Sequence, residues 1–281
     1  MKHPENEGET RNIAEKFQSS LRLGVAKLIL EILSKYEMKM DISPESLRNL
    51  QKIDEYLKQG SVIIYANHTA LLDAFLGIPF VVSHLPHLRK GMYLLAEKYA
   101  IPNRRKKSSY AIAPITKLAN SLGVIVVPVP QKLSEQKDER KKQKGKKRLA
   151  KYEEKRNALM SKKGTASAYA PEATRGATLE MTQFRDGIVK AAQLYPDALC
   201  CPMGLVPNGE NTFELVVGEP KLAKQMTESI ADRIAVENDP AVTKQLLQEC
   251  ANLFGFEVAS LLPENMRGVY AIHSDQITQS E

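Results

Sequence analysis

The sequence predicts an α/β fold, a single mostly parallel sheet flanked by helices, and three observations carry that expectation. Short apolar, β-branched runs recur along the chain, helical patterns separate most of them, and no repeat of fixed period is visible. The 281 residues suit one α/β domain with helical additions, and 43% apolar with 26% charged residues is an ordinary globular composition. No apolar stretch approaches the roughly 18 uninterrupted residues of a bilayer-spanning helix, because Asp73, Lys117 and Asn120 interrupt the best candidates.

The elements follow in order. Ile13, Phe17, Leu21, Val25, Leu28 and Ile32 recur at spacings of three and four, which predicts an amphipathic helix whose apolar stripe covers the core, with a membrane surface as the alternative. A second helix is better punctuated, with Ser43 to cap it, Pro44 at its first position, Leu47, Leu50, Ile53 and Leu57 along one side, and Gly60 to end it. Strands are expected at 61–65, 92–95, 123–127, 166–170, 199–203 and 213–217, each a short apolar run of the kind buried in parallel sheets. From Ala223 to Leu262 the pattern returns to helix with a break at Pro240. The chain thus divides into an N-terminal region of amphipathic helices over 1–54, an α/β domain over 55–222 and a C-terminal helical extension over 223–281.

Charge is concentrated in one place. Between Gln131 and Gly164 lie 14 Lys or Arg against five Asp or Glu, so a basic insertion at about 131–164 accounts for more than the whole net charge of +7. This is a local patch for an acidic partner, not a uniformly cationic surface. Lys141, Lys142, Lys144, Lys146, Lys147 and Arg148 crowd around Gly145, where like-charge repulsion and a helix-weakening Gly argue against a rigid element in the absence of a partner. The charged stretch Met1–Arg11 lacks the apolar core of a secretory signal, so a cytoplasmic location is expected. Cys200, Cys201 and Cys250 are odd in number and without C-x-x-C spacing, which reads as small buried hydrophobes.

Immediately after the first apolar strand comes Asn67-His68-Thr69-Ala70-Leu71-Leu72-Asp73. Five residues apart on one helix, His68 and Asp73 would point roughly 140° away from each other. They can meet if His68 lies in the turn and Asp73 on the first helical turn. Asp73 then fixes the imidazole tautomer and leaves the other nitrogen as a general base for a hydroxyl. A second element, Tyr169-Ala170-Pro171-Glu172-Ala173-Thr174-Arg175-Gly176, again follows an apolar strand.

Together these resemble the glycerolipid acyltransferase family that includes the 1-acylglycerol-3-phosphate and glycerol-3-phosphate acyltransferases. Its members carry a His, four residues and an Asp in a first motif and a Pro-Glu-Gly-Thr-Arg core in a third. The resemblance spans roughly residues 55 to 222: Phe184-Arg185-Asp186-Gly187 with Ala191-Ala192, Cys201-Pro202-Met203-Gly204-Leu205 and Val217-Gly218-Glu219-Pro220 are similar to later parts of the family pattern. Two positions depart from it. Where the family places an Arg about six residues beyond a Gly, Gly123 is followed by Val129, with Lys132 the nearest cation; and Ala173 stands in place of the third-motif Gly.

The resemblance implies a catalytic pair, His68 and Asp73, and a substrate-binding set, Asn67, Glu172, Thr174 and Arg175, with Arg175 on an acceptor phosphate through its bidentate fork. It implies acyl transfer from a thioester to a hydroxyl of a glycerol-phosphate lipid precursor, foremost 1-acylglycerol-3-phosphate, with glycerol-3-phosphate or another lysolipid as alternative acceptor. No metal or other cofactor is implied beyond the acyl-CoA or acyl-carrier-protein co-substrate. The expected partners are an anionic membrane surface met through 131–164 and an acyl carrier protein, giving a peripheral membrane enzyme. A non-catalytic binder of anionic lipid or nucleic acid stays open as the reading from another class, although only Tyr152 interrupts the basic segment where base stacking would need aromatics. His84 and His87 read as a surface turn, not as metal ligands.

Overall fold

The computed structural model describes residues 5–35, 38–67, 71–89, 91–97, 124–129, 139–172 and 179–273. Within them a mixed sheet of eight strands is flanked by helices on both faces. In chain order the strands are β1 (Lys39–Ile42), β2 (Ser61–Ala66), β3 (Gly91–Glu97), β4 (Val124–Val129), β5 (Thr165–Tyr169), β6 (Leu199–Pro207), β7 (Thr212–Val217) and β8 (Lys221–Leu222). The helices are α1 (Glu5–Lys35), α2 (Pro44–Leu57), α3 (Leu71–His84), α4 (Glu139–Met160), α5 (Gly187–Leu194), α6 (Ala223–Val236) and α7 (Pro240–Ala259), followed by 3-10 turns at Glu264–Met266 and Gly268–His273.

Spatial order across the sheet is β1-β7-β6-β2-β5-β3-β4. The five strands from β6 to β4 are mutually parallel, whereas β7 and β8 run antiparallel along one edge of β6 and β1 lies parallel to β7. All six apolar runs are strands, and the sheet gains two short ones, β1 and β8. Pro128 falls inside β4, opposite Ala96 of β3 and at the end of the described strand order, where a proline is tolerated.

Alternation along the strands separates two cores. Val62 and Ile64 of β2 face one cluster with Leu50, Ile53 and Leu57 of α2 and Phe80, Val81 and Val82 of α3. Ile63 and Tyr65 face the other, with Ile188 and Val189 of α5, Ala223 and Met226 of α6, and Phe254 and Val258 of α7. Helix starts obey the capping signals. The Ser43 hydroxyl accepts from Ser46 N before Pro44, and the Asp239 carboxylate accepts from Ala241 N before Pro240. Side chains also finish the sheet's backbone pairing: Asn49 Nδ2 donates to Val217 O at 2.9 Å, and Val217 N donates to the Ser46 hydroxyl at 3.0 Å.

Two expectations need correction. The periodicity of α1 places its apolar stripe on the core, yet Leu21, Leu28 and Ile32 are 57%, 55% and 45% exposed. Among the described side chains the buried ones are Ala26 and Ile29, roughly 100° around the helix on the side where α1 packs across α3, with Val25 of the stripe partly buried beside them. The side chains of Ile13 and Phe17 lie outside the described residues. The basic segment, judged too self-repelling for a rigid element, contains one continuous helix, α4, that runs through Gly145. Lys, Arg, Gln, Leu and Ala are all good helix formers, Glu139 pairs with Lys142 at 3.5 Å, and the single Gly costs only about 1 kcal/mol.

Candidate active site

β2 and β5 are neighbouring parallel strands in the register Tyr65↔Tyr169, so Asn67 and Ala170-Pro171-Glu172 follow them at the same edge of the sheet. From there the connections diverge. The chain after β2 enters α3 on one face, and the chain after β5 leads to α5 on the other. The carboxyl ends of adjacent strands whose following helices go to opposite faces are the usual ligand position in open α/β sheets.

On the β2 side, α3 begins at Leu71, so Asp73 occupies its first turn. His68 itself lies outside the described residues. Asn67 is 4% exposed and its amide is turned onto β6, where Nδ2 donates to Leu205 O at 3.1 Å and Oδ1 accepts from Leu205 N at 2.8 Å. β2 ends at its last pairing with β6, Ala66↔Met203, and the Asn67 side chain carries that pairing on to Leu205.

On the β5 side, Glu172 is 3% exposed. Its Oε2 accepts from Thr182 N at 2.9 Å and from the Thr182 hydroxyl at 3.1 Å. Arg185 N donates to Pro171 O at 3.0 Å, which folds the segment after the motif back onto it. Thr174 and Arg175, together with Ala173 and Gly176, lie outside the described residues, as do Gly123 and Lys132.

Below the motif, Tyr169 and Ser167 share one side of β5 and face Arg156 of α4. The Tyr169 hydroxyl, the Ser167 hydroxyl and Arg156 Nε are buried without a hydrogen-bond partner among the described residues. Burial pushes the Tyr169 phenol up from its ordinary value, with the Arg156 guanidinium opposing the shift. Tyr270 is pushed up to about 12, by burial first and by the charge of Glu172, against the hydrogen bond from Phe184 N.

The three cysteines are free and buried, and burial raises the thiols of Cys200, Cys201 and Cys250, so a thiolate nucleophile has no support. His84 Nδ1 sits 2.8 Å from Phe80 O and His87 Nδ1 sits 2.6 Å from Asp54 Oδ2, each within the local fold. No group of three or more His, Cys, Asp or Glu that could hold a metal occurs among the described residues.

The residues that brace Asn67 and Glu172 are not marked in the sequence. Thr182, Leu205, Gln248 and Tyr270 carry no local signal, because each acts on a backbone or carboxylate distant in sequence. Compared with known proteins, the chain matches no family model and no curated relative.

Proposed function

We propose that the protein is an O-acyltransferase that moves a fatty acyl group from an acyl thioester to a hydroxyl of a glycerol-phosphate lipid precursor, foremost 1-acylglycerol-3-phosphate. The observation that supports this reading is the parallel pairing of β2 and β5, the strands that immediately precede the two motifs in the sequence. Resemblance to the glycerolipid acyltransferases supplies the chemistry.

In this reaction His68 accepts the proton of the acceptor hydroxyl as its oxygen attacks the thioester carbonyl carbon. The tetrahedral oxyanion then collapses, the C–S bond breaks, and the departing thiolate takes the proton from the His68 imidazolium. Asp73, on the first turn of α3, supports that imidazolium. Arg175 holds the acceptor phosphate, Thr174 adds a hydroxyl to the same turn, and buried Glu172 fixes the turn's base. Asn67 sets where the His68 segment begins by tying the end of β2 to Leu205.

No helix among the described residues is long and apolar enough to cross a membrane. Peripheral attachment through α4 is part of the proposal. The helix carries ten Lys or Arg against three Glu, and at about 1.5 Å per residue it spans about 33 Å, roughly twice the length of β5. Arg140, Lys146, Lys147 and Lys155 are exposed, and burial is confined to its last residue, Met160, among those described. An anionic leaflet that holds the acceptor lipid matches that surface. The same helix favours the reading as a non-catalytic anion binder, and one experiment separates the two. Incubation with a labelled acyl thioester and a panel of lysophosphatidate, glycerol-3-phosphate and other lysolipids yields labelled ester for the enzyme and none for the binder.

A further inference from the structure

Glu172 is held from behind by the far end of the chain. Its partner Thr182 lies on the irregular segment 179–186, between the third motif and α5. That segment is tied to the C-terminal turns at three backbone positions. Met181 N donates to Met266 O at 2.9 Å, Val269 N donates to Met181 O at 3.3 Å, and Phe184 N donates to the Tyr270 hydroxyl at 2.8 Å. Gln248 of α7 completes the set by donating from Nε2 to Phe184 O at 2.7 Å. Both backbone groups of a fully buried residue are thereby satisfied by side chains, and the Phe184 ring meets the Tyr270 ring edge-on at 5.8 Å.

Two glycines make this contact fit. Gly268 has φ +53, and a Cβ there would stand 2.0 Å from Met181 O. On α7 a Cβ at Gly255 would stand 2.2 Å from the Tyr270 ring. The sequence has therefore kept open both the backbone approach and the seat of the aromatic ring.

We propose that Tyr270 and Gln248 are positioning residues for the acceptor-binding turn: they fix the Phe184 backbone, which fixes Thr182, which fixes the Glu172 carboxylate at the base of that turn. The proposal rests on the reading of the third motif as the acceptor site, and it adds the C-terminal segment to the machinery that orders it. Tyr270→Phe keeps the ring and its packing but removes the acceptor of Phe184 N. Gln248→Leu removes the donor to Phe184 O from a half-buried position without touching the ring.

The test uses the full chain and two readouts. Hydrogen exchange followed by mass spectrometry reports on 179–186, and steady-state kinetics with lysophosphatidate and acyl-CoA report on the site. Either variant is expected to speed exchange across 181–184 about tenfold while β2 and β6 keep their protection, the scale of one lost hydrogen bond. The KM for lysophosphatidate should rise about fivefold or more, with the KM for acyl-CoA within about twofold of its original value. Unchanged exchange in both variants overturns the clamp. Faster exchange with equal changes in the two KM values overturns the positioning role. Wild-type protein without turnover on any acceptor overturns the acyltransfer reading instead, and exchange alone then decides whether the clamp exists.

Discussion

Asn67 uses its side chain as a strand: the two polar atoms of its amide meet the N–H and the C=O of Leu205, at 2.8 and 3.1 Å, where β2 has already ended and β6 runs on. The pair is buried, so neither backbone group of Leu205 has water to turn to on that side. Asn67→Ala should therefore destabilise the fold by about 2–4 kcal/mol, two buried groups left unsatisfied. Asn67→Asp should do no better, since a carboxylate offers no donor to Leu205 O and buries a charge. Urea denaturation reads both, and a loss below about 0.5 kcal/mol for Asn67→Ala would show that the pairing is dispensable.

His68→Ala should abolish acyl transfer and leave the fold intact, since the end of β2 is tied to β6 by Asn67. Asp73→Asn should lose less, because the imidazole can still act as a base without its carboxylate. Turnover of the His68→Ala protein within about fivefold of wild type would sink the assignment.

Arg175→Ala should weaken use of a phosphorylated acceptor by about 2–4 kcal/mol in kcat/KM, the scale of a buried bidentate contact. Use of the acyl donor should change much less. Equal losses with phosphorylated and unphosphorylated acceptors would remove the phosphate from the argument.

What the sequence reveals here follows from how locally each feature is encoded. The six apolar strands are legible because a run such as Val62-Ile63-Ile64-Tyr65 is buried on both faces and needs no partner to be recognised. β1 is not legible, since its four residues Lys39–Ile42 alternate exposed and half-buried and become a strand only against β7. The two motifs could be read, but Thr182, Gln248 and Tyr270 could not, because their meaning lies in which distant backbone they reach. The rotation of α1 is not legible for a related reason. Periodicity yields a helix and an apolar stripe, whereas the neighbour that a side of the helix meets, here α3, is a tertiary fact.

Stability should fall at alkaline pH as buried thiols and phenols lose their protons, and two of these groups mark the onset of the loss. The Cys250 thiol, buried, is raised from 9.0 to about 11, and the Tyr270 phenol, buried and near Glu172, from 10.0 to about 12. In each case the folded chain holds a proton that the unfolded chain releases more readily. The stabilisation is therefore complete below pH 9 and is lost as pH rises from about 9 through about 12. Tm measured between those limits should decline, and Tyr270→Phe should make the decline shallower above pH 10. A decline of the same slope in the variant would show that Tyr270 does not contribute.

The exposed cations of α4 should govern attraction to an anionic surface without taking part in the chemistry. Arg140, Lys146, Lys147 and Lys155 are all exposed, and the helix touches the sheet chiefly at β5 near its C-terminal end. Each such cation close to an anionic leaflet contributes about 1 kcal/mol, an effect that salt screens. Changing Lys146, Lys147 and Lys155 to Glu should abolish salt-sensitive binding to vesicles containing phosphatidylserine, while turnover of a soluble short-chain acceptor persists. The helix itself should survive, because Glu is as good a helix former as Lys and Met160 keeps its packing. Unchanged vesicle binding would move the attachment to the exposed stripe of Leu21, Leu28 and Ile32 on α1. Lost turnover with the soluble acceptor, at unchanged far-UV circular dichroism, would instead make α4 part of the active site.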